Sequence, residues 1–367
     1  MPEQICVRCV MDSSDPQIVF DDQGICNHCK EHEDRFAATP FGKGIAKAGL
    51  EALVLEIRSK ASGPYDCIVG LSGGVDSSYI AEQAVAFGLR PLAVHFDNGW
   101  NSELAVQNIQ NIVQKLDLDL ITFVIDWPEF ADIQRSYFRA DVIDIEVVTD
   151  HAIFAALYRI AGEHRIKYIL SGRNAATESI MPADWVWQKF DLMNLKAIHK
   201  QFGSVPIKRF PTLTLWEMAF LQFTGQVRAV NFLDYLPYKK GDAIQSLEAK
   251  LAWRNYGGKH YESVFTKFYQ AHILPIKFGV DKRKAHYSDL IMNGEISRQA
   301  VLEELAKPLY DPIELEQDRE YVCKKLGFSQ DDFNAYMLAP RISHDTYPSN
   351  AALGERLLKF RRRLQRA

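Results

Sequence analysis

The stretch from Asp66 to Ser78, DCIVGLSGGVDSS, constrains this chain more than any other. Cys67, Ile68, Val69 and Leu71 form a short apolar run between Pro64 and Gly73, the pattern of a strand buried on both faces, as in a parallel sheet. A glycine turn follows at once. Gly73 and Gly74 permit a tight reversal with backbone N–H groups turned inward, and Asp76, Ser77 and Ser78 are residue types that open a helix. Those amides, the hydroxyls of Ser72, Ser77 and Ser78, and the positive helix end together suit a phosphate group. A plain glycine turn would need no such crowd of donors. GxxxxGK[ST] is absent, as is GxGxxG at this turn, so neither kinase-like γ-transfer nor dinucleotide binding is indicated.

The chain on either side alternates. Residues 80–87 read as helix and 91–96 (PLAVHF) as a second strand; Asn101 or Ser102 can cap a helix that aligns Ala105, Ile109, Ile112, Val113 and Leu116. Residues 118–125 form a third strand, 150–164 an apolar helix and 168–171 another strand. This alternation predicts an α/β fold, a doubly wound parallel sheet with ligands at the carboxyl ends of its strands. Three such ends carry polar loops: 72–78, 97–100 and 171–178. Asn98-Gly99 is equally a bare turn signal. In the last loop Gly172 would let the backbone approach a ligand, while Arg173 and Glu178 suit phosphate and magnesium or serve as solvated charges.

Ahead of the loop stand two pairs, Cys6-Val-Arg-Cys9 and Cys26-Asn-His-Cys29. CxxC knuckles at this spacing present four thiolates to one structural Zn2+, and the turn Asp21-Asp22-Gln23-Gly24 fits a zinc-ribbon hairpin. Disulfides and redox pairs are the competing readings, and neither suits a reducing compartment without a thioredoxin-like unit. Cys67 and Cys323 read as packing residues. Residues 45–60, with Leu50, Leu53, Val54 and Ile57 at helical spacing, form a linking helix. The boundaries that follow are a ribbon at 1–40, a linking helix at 41–62, the main domain at 63–235 and a mainly helical region at 236–367. A net charge of −4 supplies no overall basic field for nucleic acid. No apolar run nears the ~20 residues of a membrane span, so a cytoplasmic protein is expected.

Two later segments concentrate polar chemistry. Residues 253–263, WRNYGGKHYES, crowd Arg254, Lys259, His260 and Glu262 around a Gly-Gly turn, as a substrate-positioning segment or as a surface turn before a helix with Phe265, Phe268 and Tyr269 inward. The second, Gly279-Val-Asp-Lys-Arg-Lys, places Lys282, Arg283 and Lys284 at a helix start. Residues 357–364 form a basic amphipathic helix.

SGGVDSS is similar to the PP-loop of the N-type ATP pyrophosphatases (adenine nucleotide alpha hydrolase-like), which hold the β,γ-pyrophosphate of ATP while the α-phosphorus is attacked. The series CVRCVMD, CNHC, SGGVDSS, HFDNGW, TDHAI, SGRNAATES, WRNYGGKHYESVFTKFYQ and FGVDKRKAHYSDLIMNGEISR resembles, over nearly the whole chain, the N-acetyl sugar amidotransferase family of WbpG and PseA type. The resemblance implies an ATP- and Mg2+-dependent synthetase that turns an N-acetyl group of a nucleotide-activated sugar into acetamidino in surface-polysaccharide biosynthesis. It implies nucleotide contacts from Ser72, Gly73, Gly74, Val75, Asp76, Ser77, Ser78, Val94, Phe96, Asp97, Gly172 and Arg173. Asp76, Ser77, Lys282, Arg283 and His260 are the implied catalytic set, with Asp76 or Asp281 near the magnesium; Arg254, Lys259 and Glu262 meet the sugar. No glutaminase nucleophile surrounds Cys67 or Cys323, so the family pattern implies ammonia from a separate glutaminase like that of the histidine pathway, with its cyclase-like partner. A PP-loop tRNA-modifying enzyme of thiolase or lysidine synthase type is the alternative; it would need a spare reactive cysteine or a basic surface.

Overall fold

The computed structural model describes residues 4–257 and 261–354. Its centre is a parallel sheet of β1 (Cys67–Gly70), β2 (Pro91–Asp97), β3 (Leu120–Val124), β4 (Tyr168–Ser171) and β5 (Arg228–Asn231), in the order β3-β2-β1-β4-β5. The chain builds outward from β1 in one direction, then crosses back to lay β4 on its other side. That reversal opens a crevice between the carboxyl ends of β1 and β4, where open α/β sheets receive ligands.

Before the sheet come α1 (Asn27–Ala37) and α2 (Ala46–Ser59). Between its strands run α3 (Val75–Ala86), α4 (Glu103–Leu116), α5 (Trp127–Arg139), α6 (Val147–Glu163), α7 (Leu192–Phe202) and α8 (Leu215–Phe223). After β5 follow α9 (Lys240–Leu251), α10 (Val264–Phe268), α11 (Lys282–Met292), α12 (Arg298–Leu305), α13 (Pro312–Leu326) and α14 (Gln330–Leu338). Alternate strand residues feed opposite layers. Cys67, Val69 and Leu170 pack with Leu53, Ile57, Ile80, Ile112 and Leu247 on one side, while Ile68, Leu92, Val94 and Ile169 pack with Ala155, Tyr158 and Met218 on the other. Each fully buried aliphatic side chain contributes roughly 1.5–3 kcal/mol, and burial on both faces explains the uninterrupted apolar run of β1.

Local chemistry sets the helix starts. Ser102 caps α4 by accepting from Ala105 N at 3.2 Å, and Asp126 caps α5 by accepting from Glu129 N at 3.3 Å, with Pro128 in its first turn. Ser297 caps α12 at Arg298 by accepting from Ala300 N at 3.2 Å. The sequence pattern does not reveal α5 or β5. On α5 the buried face includes Glu129, Asp132 and Gln134, which breaks the apolar periodicity; edge strand β5 buries Val230 alone of its four residues. The basic helix expected at 357–364 lies outside the described residues.

The four-cysteine unit sits on α11. Val10 N donates to Ser288 Oγ at 3.2 Å, Lys284 pairs with Asp12, and Arg298 donates to the carbonyls of Cys6 and Cys9, both at 2.9 Å. Buried Asp289 joins three parts: its Oδ1 meets His32 Nδ1 at 3.0 Å and accepts from Ser179 N at 3.2 Å and Ile180 N at 3.0 Å. Removing that carboxylate strands buried donors, so Asp289→Ala is expected to lower stability by about 3 kcal/mol, read from urea unfolding; a loss below about 1 kcal/mol would contradict this keystone role.

Candidate active site at the strand carboxyl ends

The loop leaving β1 folds as a cradle. Gly73 has φ +82°, and a Cβ there would lie 2.6 Å from Ala105 O of α4. Its carbonyl accepts from Trp253 Nε1 at 2.9 Å, which holds the turn from the other side. Gly74 is the N-cap of α3 and has no side chain to satisfy the helix's first amides. Ser72 Oγ lies 3.1 Å from Ser77 Oγ and accepts from Gly74 N at 3.2 Å; Val75 N meets Tyr256 OH at 3.2 Å. Ser72 is exposed and Ser77 half-buried, so both hydroxyls border the crevice. Ser78 differs: it is 0% exposed and donates to Gly74 O at 2.6 Å, as a brace beneath the loop.

The turn after β4 closes the other wall. A Cβ on Gly172 would lie 3.4 Å from Asp76 Cβ and 3.9 Å from Ser77 N, so the two glycine-bearing turns meet at the crevice. Asp76 accepts a hydrogen bond from Tyr238 OH, whose phenol is held far above its ordinary pKa, first by burial and then by the charge of Asp76. Glu178 and Glu295 add to the same negative field around Tyr238. Arg173 is exposed at the rim and near enough to act on Asp234, which in turn accepts from Ala175 N at 2.8 Å.

At the end of β2, Val94 is buried in the core and Phe96 stacks on Phe123 at 5.6 Å. Asp97 Oδ1 accepts from Gly99 N at 2.8 Å, so here it shapes its own turn. His95 donates through Nδ1 to Leu71 O at 2.9 Å and accepts at Nε2 from Asn101 Nδ2 at 3.1 Å, which ties this strand end to the cradle.

The C-terminal segments reach the same edge. Ser102 N donates to Glu262 O at 2.8 Å and Val264 N to Trp100 O at 2.9 Å, which brings the Glu262 side chain to 3.6 Å from a Cβ built on Gly74. Arg254 is exposed and held by its backbone to Asn108, at 2.9 Å in both directions. Lys259 and His260 lie outside the described residues. The three bases at the start of α11 take three directions. Lys282 is only 7% exposed, with Nζ 3.9 Å from Glu146 Oε2. Arg283 binds its own N-cap, Asp281, at 2.8 Å and the carbonyls of Leu305 and Lys307, while Lys284 turns to Asp12 of the cysteine unit. Lys282 alone of the three thus turns into the interior. Sequence reasoning passed over Tyr238, Tyr256 and Glu146, since nothing in the linear order marks a phenol or carboxylate that reaches a loop far away in the chain.

The sulfurs of Cys6, Cys9, Cys26 and Cys29 all lie within 4.8 Å of one another and are buried. Cys6–Cys29, Cys9–Cys26 and Cys26–Cys29 are 3.8, 3.6 and 3.8 Å apart. Zn–S bonds of about 2.3 Å arranged tetrahedrally give edges of about 3.8 Å, so the cluster fits one zinc ion. Disulfide bonding, at about 2.05 Å, is far from these separations. Arg8 N and Cys26 N point at Cys6 Sγ from 3.4 and 3.3 Å, donors that favour thiolate.

Gly73→Ala is expected to strain the turn and push it from α4, weakening inorganic pyrophosphate binding by about tenfold or more (about 1.4 kcal/mol). Titration calorimetry checks this; unaltered affinity would separate the cradle from phosphate.

Residues 50–181 match the family model of NAD synthase, and residues 262–362 match that of the LPS biosynthesis protein WbpG-like, C-terminal domain. Among solved structures the chain is similar to NMN synthetase from Francisella tularensis, at 16% identity over 61% of this chain and 92% of that one, with a TM-score of 0.30. It is also similar to NH3-dependent NAD synthetase from Campylobacter jejuni in complex with nitrate, at 13% identity over 56% and 83%, again with a TM-score of 0.30. No curated protein matches significantly. An NAD-synthase-type domain supports an ATP-using enzyme of ligase type. The chain thus carries a five-stranded parallel sheet within a region similar to the PP-loop domain of NAD synthase, followed by a region similar to the C-terminal domain of WbpG-like LPS biosynthesis proteins.

Proposed function

We propose that this chain is the synthetase component of an ATP-dependent amidotransferase that converts an N-acetyl group of a nucleotide-activated sugar to acetamidino in bacterial surface-polysaccharide biosynthesis. The observation that carries the reading is the juxtaposition of an α3 N-terminus whose N-cap is glycine and the Gly172 turn at the sheet's point of reversal, in a chain with a WbpG-like domain.

An amide carbonyl is a weak electrophile, and its oxygen leaves only once activated. Transfer of AMP to that oxygen releases pyrophosphate and creates the leaving group; ammonia then adds to the carbon and AMP departs. The amides of the cradle with Ser72 and Ser77 hold the departing pyrophosphate, fixed in place before charge develops. Asp76 and Glu178, whose charges both act on Tyr238, would hold Mg2+, which when bound offsets phosphate charge. Lys282 and Arg173 bring positive charge to the phosphates, and Val94, Phe96 and Asp97 border the adenosine. Glu262 and Arg254 meet the sugar; Lys259 and His260 join that set by their place in the same segment.

Cys67 and Cys323 are buried, and burial raises both thiols above their ordinary value, the reverse of an activated nucleophile. This supports ammonia from a separate glutaminase, similar to the histidine-pathway enzyme with its cyclase-like partner. The remaining four cysteines in one cluster, together with the net charge of −4, weigh against a tRNA thiolase. Among the described residues no helix is long and apolar enough to cross a membrane.

Incubation with ATP, Mg2+, ammonium and nucleotide-activated acetamido sugars is expected to release pyrophosphate and AMP only with the right sugar; release driven by tRNA instead would favour the modifying enzyme. Asp76→Ala and Ser77→Ala are each expected to cut pyrophosphate release at least about 100-fold with circular dichroism unchanged. Elemental analysis is expected to find one zinc per chain, lost in Cys9→Ser.

A further inference from the structure

A second polar cluster, joined to the scheme above through Lys282 alone, gathers around Glu146. Glu146 is the N-cap of α6, the helix that leads into β4, so it sits at the carboxyl edge of the sheet. Its side chain is 12% exposed. Gln270 Nε2 donates to Glu146 Oε2 at 3.0 Å, and the Thr266 hydroxyl donates to the same carboxylate. Thr266 lies in α10, whose N-cap Ser263 directly follows Glu262, the residue that approaches Gly74. Gln270 belongs to the π-helical run Tyr269–Phe278 that continues α10 around Pro275, and such runs recur at functional sites.

The charges around Glu146 are unevenly matched. Lys189 is already met by two aspartates, Asp144 at 2.6 Å and Asp150 at 3.0 Å. Lys282, from α11, is 3.9 Å from Glu146 and 5.6 Å from the Tyr269 ring, and its charge also acts on Asp144, which Lys189 already meets at 2.6 Å. Lys282 is therefore a buried cation able to take an incoming anion, and Glu146 is a buried carboxylate held by two neutral donors. Burial raises its pKa, with Lys282 acting against the rise and Asp150 with it. Asp144 cannot serve in the same way, because Lys189 and Trp187 N bind it and hold it below its ordinary value against its burial.

We propose that Glu146 is the proton acceptor for the attacking ammonia, with Lys282 beside it to receive the phosphate of the departing AMP. The inference rests on the amidotransferase reading above and names the base of that same site. Ammonia forms a C–N bond to the O-adenylated amide carbon, leaving a positive nitrogen on a tetrahedral centre. One proton passes from that nitrogen to Glu146 and then to solvent. The C–O bond to AMP breaks with its electron pair on the phosphate, and the original amide nitrogen shares in the new C=N bond of the amidinium product. No oxidant or further reactant is needed.

Glu146→Gln keeps the shape and tests the role. Sugar-dependent release of pyrophosphate in a single turnover should stay within about threefold of the parent, while amidine formation from ammonium should fall about 10²–10⁴-fold. The acidic limb of the parent's pH–rate profile should vanish. Hydroxylamine, uncharged at neutral pH and readily deprotonated after addition, should restore much of the rate, and Glu146→Asp should retain an intermediate rate with its acidic limb displaced. Equal loss of pyrophosphate release and amidine formation in both variants would mean a structural role and overturn the proposal. So would an unchanged rate with ammonium, or an equal loss with hydroxylamine. A parent protein that releases no pyrophosphate with any acetamido sugar would remove the amidotransferase reading itself, and this inference with it.

Discussion

Gly73 passes so close to the backbone of α4 that no side chain fits between them, and the site depends on that approach. The left-handed turn it permits sets the start of α3 at the crevice; Trp253 holds the loop at the Gly73 carbonyl and Tyr256 at the amide of Val75. A helix N-terminus attracts anions in general. Here the attraction is kept available because the N-cap is glycine and the nearest serines hydrogen-bond across the loop.

The second constraint is mechanical. Asp289 and Ser288 join the cysteine cluster to α11, and Asp289 also holds the backbone at Ser179 and Ile180, just beyond the Gly172 turn. One helix thus carries Lys282 at its amino end and a contact with both the cysteine unit and the β4 loop two turns later. A zinc ion in the four-sulfur cluster would stiffen this junction.

Two buried carboxylates on α5 each meet several backbone donors. Glu129 accepts from the amides of Lys208, Arg209 and Phe210, and Asp132 from those of Ser204 and Val205, which draws its pKa down to about 2 against its burial. These carboxylates fix loops. Glu146 stands apart, since its partners are an amide, a hydroxyl and a lysine at the limit of an ion pair.

Much of this architecture could be read along the chain. The apolar run at Cys67–Gly70 followed by SGGVDSS specified a buried strand, a glycine turn and a helix, because those elements are set by neighbours in sequence. The paired CxxC knuckles likewise announced four converging sulfurs, as their geometry needs only two local turns. α5 escaped notice because its buried positions include carboxylates satisfied by a distant loop, and β5 because an edge strand has one buried residue. Tertiary structure alone decided which of three adjacent bases turns inward: Lys282, Arg283 and Lys284 are alike in sequence, yet helical rotation sends them 100° apart, to Glu146, Asp281 and Asp12. Local sequence determined the cradle; the choice of charges around it came from contacts between segments more than a hundred residues apart, which no local pattern encodes.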